Sequence, residues 1–117
     1  MYCIAMKIGQ FILVVVISTF SYGNNNAPLL LNGNCITCHH ETKSISAPSL
    51  KLIKKRYKNA FPKKKDFVQY MSQWVLKPNI QGSLMNDMIQ KYSLMPELGF
   101  DKDTLEIITA YIYDENY

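Results

Sequence analysis

Cys35 and Cys38 stand three residues apart in "NGNCITCHH", with His39 directly behind the second cysteine. Two thiols and an imidazole so placed can hold zinc, cycle as a redox disulfide or take a haem. Zinc wants about four ligands. Beyond these three the nearest nitrogen donor is the adjacent His40, which is hard to aim at the same ion. A thioredoxin-like pair belongs beside a βαβ pattern, and the alternating β-branched runs of such a sheet are missing here. Haem uses the spacing directly. On a helical turn positions i and i+3 share a face, so both thiols can add across the vinyl groups along one porphyrin edge. His39 then falls under the ring, where a nitrogen can reach iron. Cys-x-x-Cys-His is the attachment sequence of c-type haem.

The residues ahead of the motif set its compartment. Residues 1–23 read as a secretory signal peptide: Lys7, an apolar run from Ile8 to Ile17, then Ser21-Tyr22-Gly23 at the point of cleavage. That run is about ten residues, against the roughly 20 that span a bilayer as a helix. An uncleaved anchor is the alternative, and either way the body of the protein is expected in the periplasm. Cys3 belongs to the leader. Residues 24–117 then form one domain around one modest core, with Cys35 and Cys38 as its two cysteines. A disulfide between them would close a tiny loop and constrain the unfolded chain little. A small exported domain needs a larger staple, and a covalent cofactor supplies one.

"CITCH" followed by "APSL" resembles the class I (monohaem) c-type cytochromes of the small bacterial periplasmic kind. The resemblance extends over essentially all of residues 24–117, although only the attachment motif is specific. It implies an all-α, cytochrome c-like fold of about five short helices around one covalent haem c. It implies thioethers at Cys35 and Cys38, His39 as the proximal iron ligand, and the Pro48 carbonyl as acceptor for the other ring nitrogen of His39. Such an acceptor fixes the imidazole tautomer and raises its basicity. Pro48 can equally serve to start the following helix.

Four methionines beyond the leader are candidates for the sixth ligand: Met71, Met85, Met88 and Met95. Met71 falls in "DFVQYMSQWVL", where Phe67, Tyr70, Met71, Trp74 and Val75 recur at helical spacing, so it reads as core. Met85 and Met88 are expected on one face of a short helix. Met95 precedes Pro96, which biases it towards an extended loop, and it resembles the distal ligand of the family. Met95 is the assigned ligand, with Met88 the alternative. Trp74 and Tyr70 could donate to a propionate; core packing, with their polar atoms satisfied elsewhere, is the favoured reading. His40 is expected to be exposed.

Other elements follow from pattern. A first helix should run from about Ala27 to the motif with Leu29 to Leu31 packed on it, and "PSLKLIKKRYKN" should turn Leu50, Ile53 and Tyr57 inward. In the last segment Leu105, Ile108 and Ile112 share a face beside Tyr111, and Asp101 is placed to cap the helix. Eight basic residues lie between Lys51 and Lys65, while acids gather from Glu97 to Glu115 within a net charge of +4. For an electron carrier this asymmetry suggests docking to acidic patches on redox proteins. A solvated helix face explains it as well, and nucleic acid is a poor fit for an exported haem domain. The function expected is electron transfer with no substrate of its own. A peroxidase-like haem subunit and a haem-based gas or redox sensor are the alternatives.

Overall fold

A computed structural model describes residues 26–117. The leader assigned to residues 1–23 lies outside the described residues, as does Cys3. Five helices follow one another: α1 (Ala27–Asn34), α2 (Leu50–Ala60), α3 (Lys64–Leu76), α4 (Asn86–Tyr92) and α5 (Lys102–Asp114). Among the described residues there is no strand, and the architecture is all-α.

Each helix has a local cause. Pro28 sits in the first turn of α1, where its missing N–H costs nothing. Ser49 caps α2 by accepting from the Leu52 N–H at 3.1 Å. Asp101 caps α5, taking the Thr104 N–H at 2.9 Å and the Thr104 hydroxyl at 2.6 Å. Pro48 therefore does not begin α2, because it stands one residue ahead of the Ser49 cap.

Burial follows the helical period. Phe67 and Met71 of α3, one turn apart, are buried, and so are Leu105, Ile108 and Ile112 of α5. α3 packs along α5, and α1 also packs against α5. Tyr57 and Tyr113 meet the Phe67 ring edge-on, with centroids 5.9 and 5.1 Å away. Burying each such large apolar side chain contributes about 1.5–3 kcal/mol. Two expectations need correction. Leu31 is buried and Leu30 packs beside the core, but Leu29 is 73% exposed. One α-helical face cannot hold three consecutive residues. Met85 is not in a helix with Met88: it is buried at the N-cap of α4, with φ −134°.

Candidate functional site

The motif turn grows out of the end of α1. Beyond Asn34 the chain makes one further turn, in which the Cys35 carbonyl accepts both the Cys38 N–H at 3.2 Å and the His39 N–H at 2.8 Å. The loop 40–49 is then fixed by the start of α2. Helices begin with N–H groups that lack partners inside the helix. Here the Leu50 and Lys51 N–H groups donate to the carbonyls of His40 and Glu41, at 3.0 and 2.9 Å. This closure returns Pro48 to the motif, and its carbonyl lies 2.7 Å from His39 Nδ1. With Nδ1 as the protonated nitrogen, Nε2 carries the free lone pair.

Cys35, Cys38, His39 and Pro48 all line one partly open cleft of about 260 Å³. Leu50, Ile53 and Tyr57 from α2, Met71, Trp74 and Val75 from α3, and Leu105, Ile108 and Ile112 from α5 supply much of its wall. The remainder comes from Met85, from α4 and from the extended segment 93–100, including Met95. No Asp, Glu, Lys or Arg lines it. Cys35, Cys38, His39, Met88 and Met95, far apart in the chain, thus share one apolar enclosure. Tyr92 of α4 ties its two sides by donating to the Ser44 carbonyl at 3.2 Å.

The two cysteines are free thiols in different surroundings: Cys35 is half-buried and Cys38 exposed. Burial, and then the neighbouring Cys38, push the Cys35 thiol up to about 11, so it stays protonated at neutral pH. His40 is exposed, and its Nδ1 accepts the N–H groups of Thr42 and Lys43 at 3.1 and 3.0 Å, in a turn of its own. Trp74 and Tyr70 have their polar atoms satisfied by backbone. Trp74 Nε1 donates to Asn79 O at 3.0 Å and the Tyr70 hydroxyl to Gly82 O at 2.8 Å.

Some of the wall was missed by sequence reasoning. Leu94, Pro96, Leu98 and Phe100 all line the cleft. Their alternate spacing in an extended, proline-containing run was the available signal. Met85 gave no such sign, since its burial depends on the path of the chain between α3 and α4. The basic run also changes character in three dimensions. Arg56 pairs with Asp87 through its two terminal guanidinium nitrogens, and Lys64 pairs with Asp114. The Lys58 ammonium lies 4.5 Å above the Tyr113 ring.

The donor set decides which group the residues suit. Among the described residues no three His, Cys, Asp or Glu side chains group to hold an ion. A bare metal would lack ligands here, whereas a porphyrin brings four in-plane nitrogens and asks the protein only for axial ones. An imidazole oriented by a carbonyl, thioether sulfurs on the same cleft, two thiols at its edge and an uncharged lining fit that requirement. No protein-family model matches this chain, and no curated protein or solved structure is detectably similar to it.

Proposed function

We propose that this chain is an exported monohaem c-type cytochrome that carries electrons between redox proteins in the periplasm. One observation carries the reading: His39, held by the Pro48 carbonyl, shares an apolar cleft with Cys35, Cys38 and Met95. Cys35 and Cys38 would each add S–H across a vinyl group. A sulfur–carbon bond forms, the hydrogen goes to the neighbouring carbon, and nothing is oxidised or lost. His39 Nε2 would be the proximal ligand, with Met95 the distal one and Met88 its alternative. Held by these residues, a haem would supply one-electron exchange between Fe(III) and Fe(II). The apolar lining and a neutral thioether would each favour Fe(II) and so hold the potential up. Chemistry at iron would need an open position and an acid or base beside it. His39 is committed and no carboxylate lines the cleft, which favours carriage over a peroxidase-like or sensing role. Among the described residues no helix is long and apolar enough to cross a membrane. The basic residues from Lys51 to Lys65 would meet acidic patches of a donor or acceptor.

Acid–acetone extraction tests the thioethers, because haem that leaves the denatured protein is not covalently attached. The distal ligand is read from the near-red charge-transfer band of a ferric iron–methionine bond. Met95→Ala should abolish the band, lower the potential and admit carbon monoxide to the reduced form. If Met95→Ala keeps it and Met88→Ala loses it, Met88 is the ligand.

A further inference from the structure

The peptide unit that faces His39 is hydrogen-bonded at its other end as well. Three consecutive N–H groups at the start of α2 close loop 40–49, and they are satisfied differently. Leu50 and Lys51 donate to backbone, the carbonyls of His40 and Glu41. Ser49 donates to a side chain, the Ser44 hydroxyl oxygen, at 2.9 Å. The Ser49 N–H and the Pro48 carbonyl belong to one peptide unit. It is planar and trans, so its N–H and C=O point in opposite directions, and aiming one aims the other. A chain of contacts therefore runs from Ser44 Oγ, through the Ser49 N–H and the Pro48 carbonyl, to His39 Nδ1 at 2.7 Å.

Ser44 itself is exposed, while Ser49 is only 4% exposed. The hydroxyl thus reaches a buried peptide from the surface. The Ser44 carbonyl accepts the Tyr92 hydroxyl at 3.2 Å, which ties this residue to α4. Hydrogen bonds in a chain polarise one another, so an amide held at its N–H is the better acceptor at its oxygen. An imidazole that donates to such an oxygen becomes more basic at its other nitrogen.

We infer that Ser44 is a positioning residue for His39: by accepting the Ser49 N–H it aims and polarises the Pro48 carbonyl, and so sets how strongly His39 Nε2 donates to iron. This rests on the proposed function, in which His39 is the proximal ligand, and deepens it. The contact between His39 and Pro48 follows from the family resemblance. Its control from Ser44 belongs to this loop, where "SISAPS" puts a hydroxyl five residues ahead of the Ser49 N–H. No bond breaks and no proton leaves its atom. What changes is the balance between Fe(III) and Fe(II), because a more basic imidazole favours Fe(III).

Two variants of nearly equal shape separate the hydroxyl from the bulk of the side chain. Ser44→Thr keeps the hydroxyl, and Ser44→Val puts a methyl group where water could otherwise stand in for it. Both are read in the full haem-loaded protein. In the reduced state the His39 Nδ1 proton resonance should move upfield in Ser44→Val, as its bond to Pro48 weakens, and stay in place in Ser44→Thr. The electron-exchange equilibrium with a soluble redox couple should shift towards Fe(II) by roughly threefold or more in Ser44→Val, less than the 10- to 100-fold effects of losing a direct outer partner. Direction excludes mere loosening of the loop, which would admit water and shift the balance towards Fe(III). Tyr92→Phe should shift it towards Fe(II) by less, and should add nothing in the Ser44→Val background. Either readout unmoved in Ser44→Val, a shift towards Fe(III), or Ser44→Thr behaving as Ser44→Val would overturn the role of Ser44. A Tyr92→Phe effect that persists beside Ser44→Val would remove Tyr92 from it. A protein that takes up no haem would sink the proposed function, whereas haem uptake with an unmoved Nδ1 proton sinks this inference alone.

Discussion

The helical frame of α3 and α5 and the irregular wall between residues 77 and 101 are held by different means. In the frame, Phe67 is 0% and Ile108 1% exposed, so these helices secure each other by burial. The wall contains α4, a helix with no buried residue, and an extended run in which Leu98 remains 53% exposed. Apart from buried Met85, it is attached by polar contacts: Tyr70 to Gly82, Trp74 to Asn79, Tyr92 to Ser44 and the Arg56–Asp87 ion pair. Ser93 there takes a φ of 73°, a left-handed value that costs a non-glycine residue about 1–3 kcal/mol. Local stability tracks buried apolar contact. The frame is held by burial, whereas the wall buries Met85 alone and turns many of its other apolar side chains to the cleft. Under the proposed function, the cofactor supplies the missing contact.

The largest effect should follow from removing the attachment. Replacing both Cys35 and Cys38 by alanine is expected to abolish covalent haem. Hydrogen exchange should then show residues 77–101 losing protection while α3 and α5 keep most of theirs. If both regions lose protection together, the two are not separable and the comparison fails.

Phe67→Ala should come next, costing about 3–5 kcal/mol of stability by denaturant unfolding, through lost burial and a residual cavity. A domain this size has roughly 5–15 kcal/mol in total, so the variant should be barely folded. Because Phe67 belongs to the frame, the loss should be similar with and without the cofactor.

These two predictions draw on parts of the molecule that differ in how far the sequence revealed them. Phe67, Met71, Leu105, Ile108 and Ile112 could be placed because a 3.6-residue period marks one face of a helix. Asp101 could be placed because a cap is a local bond, three residues long. His39 and Pro48 lie nine apart and needed the family resemblance, since only the closure of loop 40–49 brings them together. The pairing of Arg56 with Asp87, 31 residues apart, could not be read at all. It depends on how α4 approaches α2, and no local pattern encodes that.

Smaller effects probe the attachments of the wall. Tyr70→Phe removes the bond to Gly82 while preserving the ring stacked on Phe61, 4.7 Å between centroids. A loss of about 0.5–1.5 kcal/mol is expected, with faster exchange confined to the wall. Uniform destabilisation would mean that this bond does not hold the wall separately from the frame.

Acid should distinguish the two regions more gently still. Asp87, hydrogen-bonded by Arg56, and Asp101, hydrogen-bonded by Thr104, are both held below the ordinary 3.8. A carboxylate depressed in the folded state contributes fully above its unfolded pKa and is lost as the pH falls through the folded one. Thermal midpoints should therefore drop below about pH 4. Asp101→Asn should flatten that drop at any salt concentration. The Asp87 share should shrink with salt, because exposed ion pairs are screened and caps are not.

The central claim is covalent haem at Cys35 and Cys38, and intact-protein mass spectrometry with peptide mapping tests it most directly. The chain would be produced with its leader in a host that matures c-type cytochromes, then denatured before measurement. The account predicts that the peptide holding both cysteines gains the whole mass of one haem, as addition across two vinyl groups requires. Cysteines recovered as free thiols, or joined in a disulfide with no added mass, would contradict it.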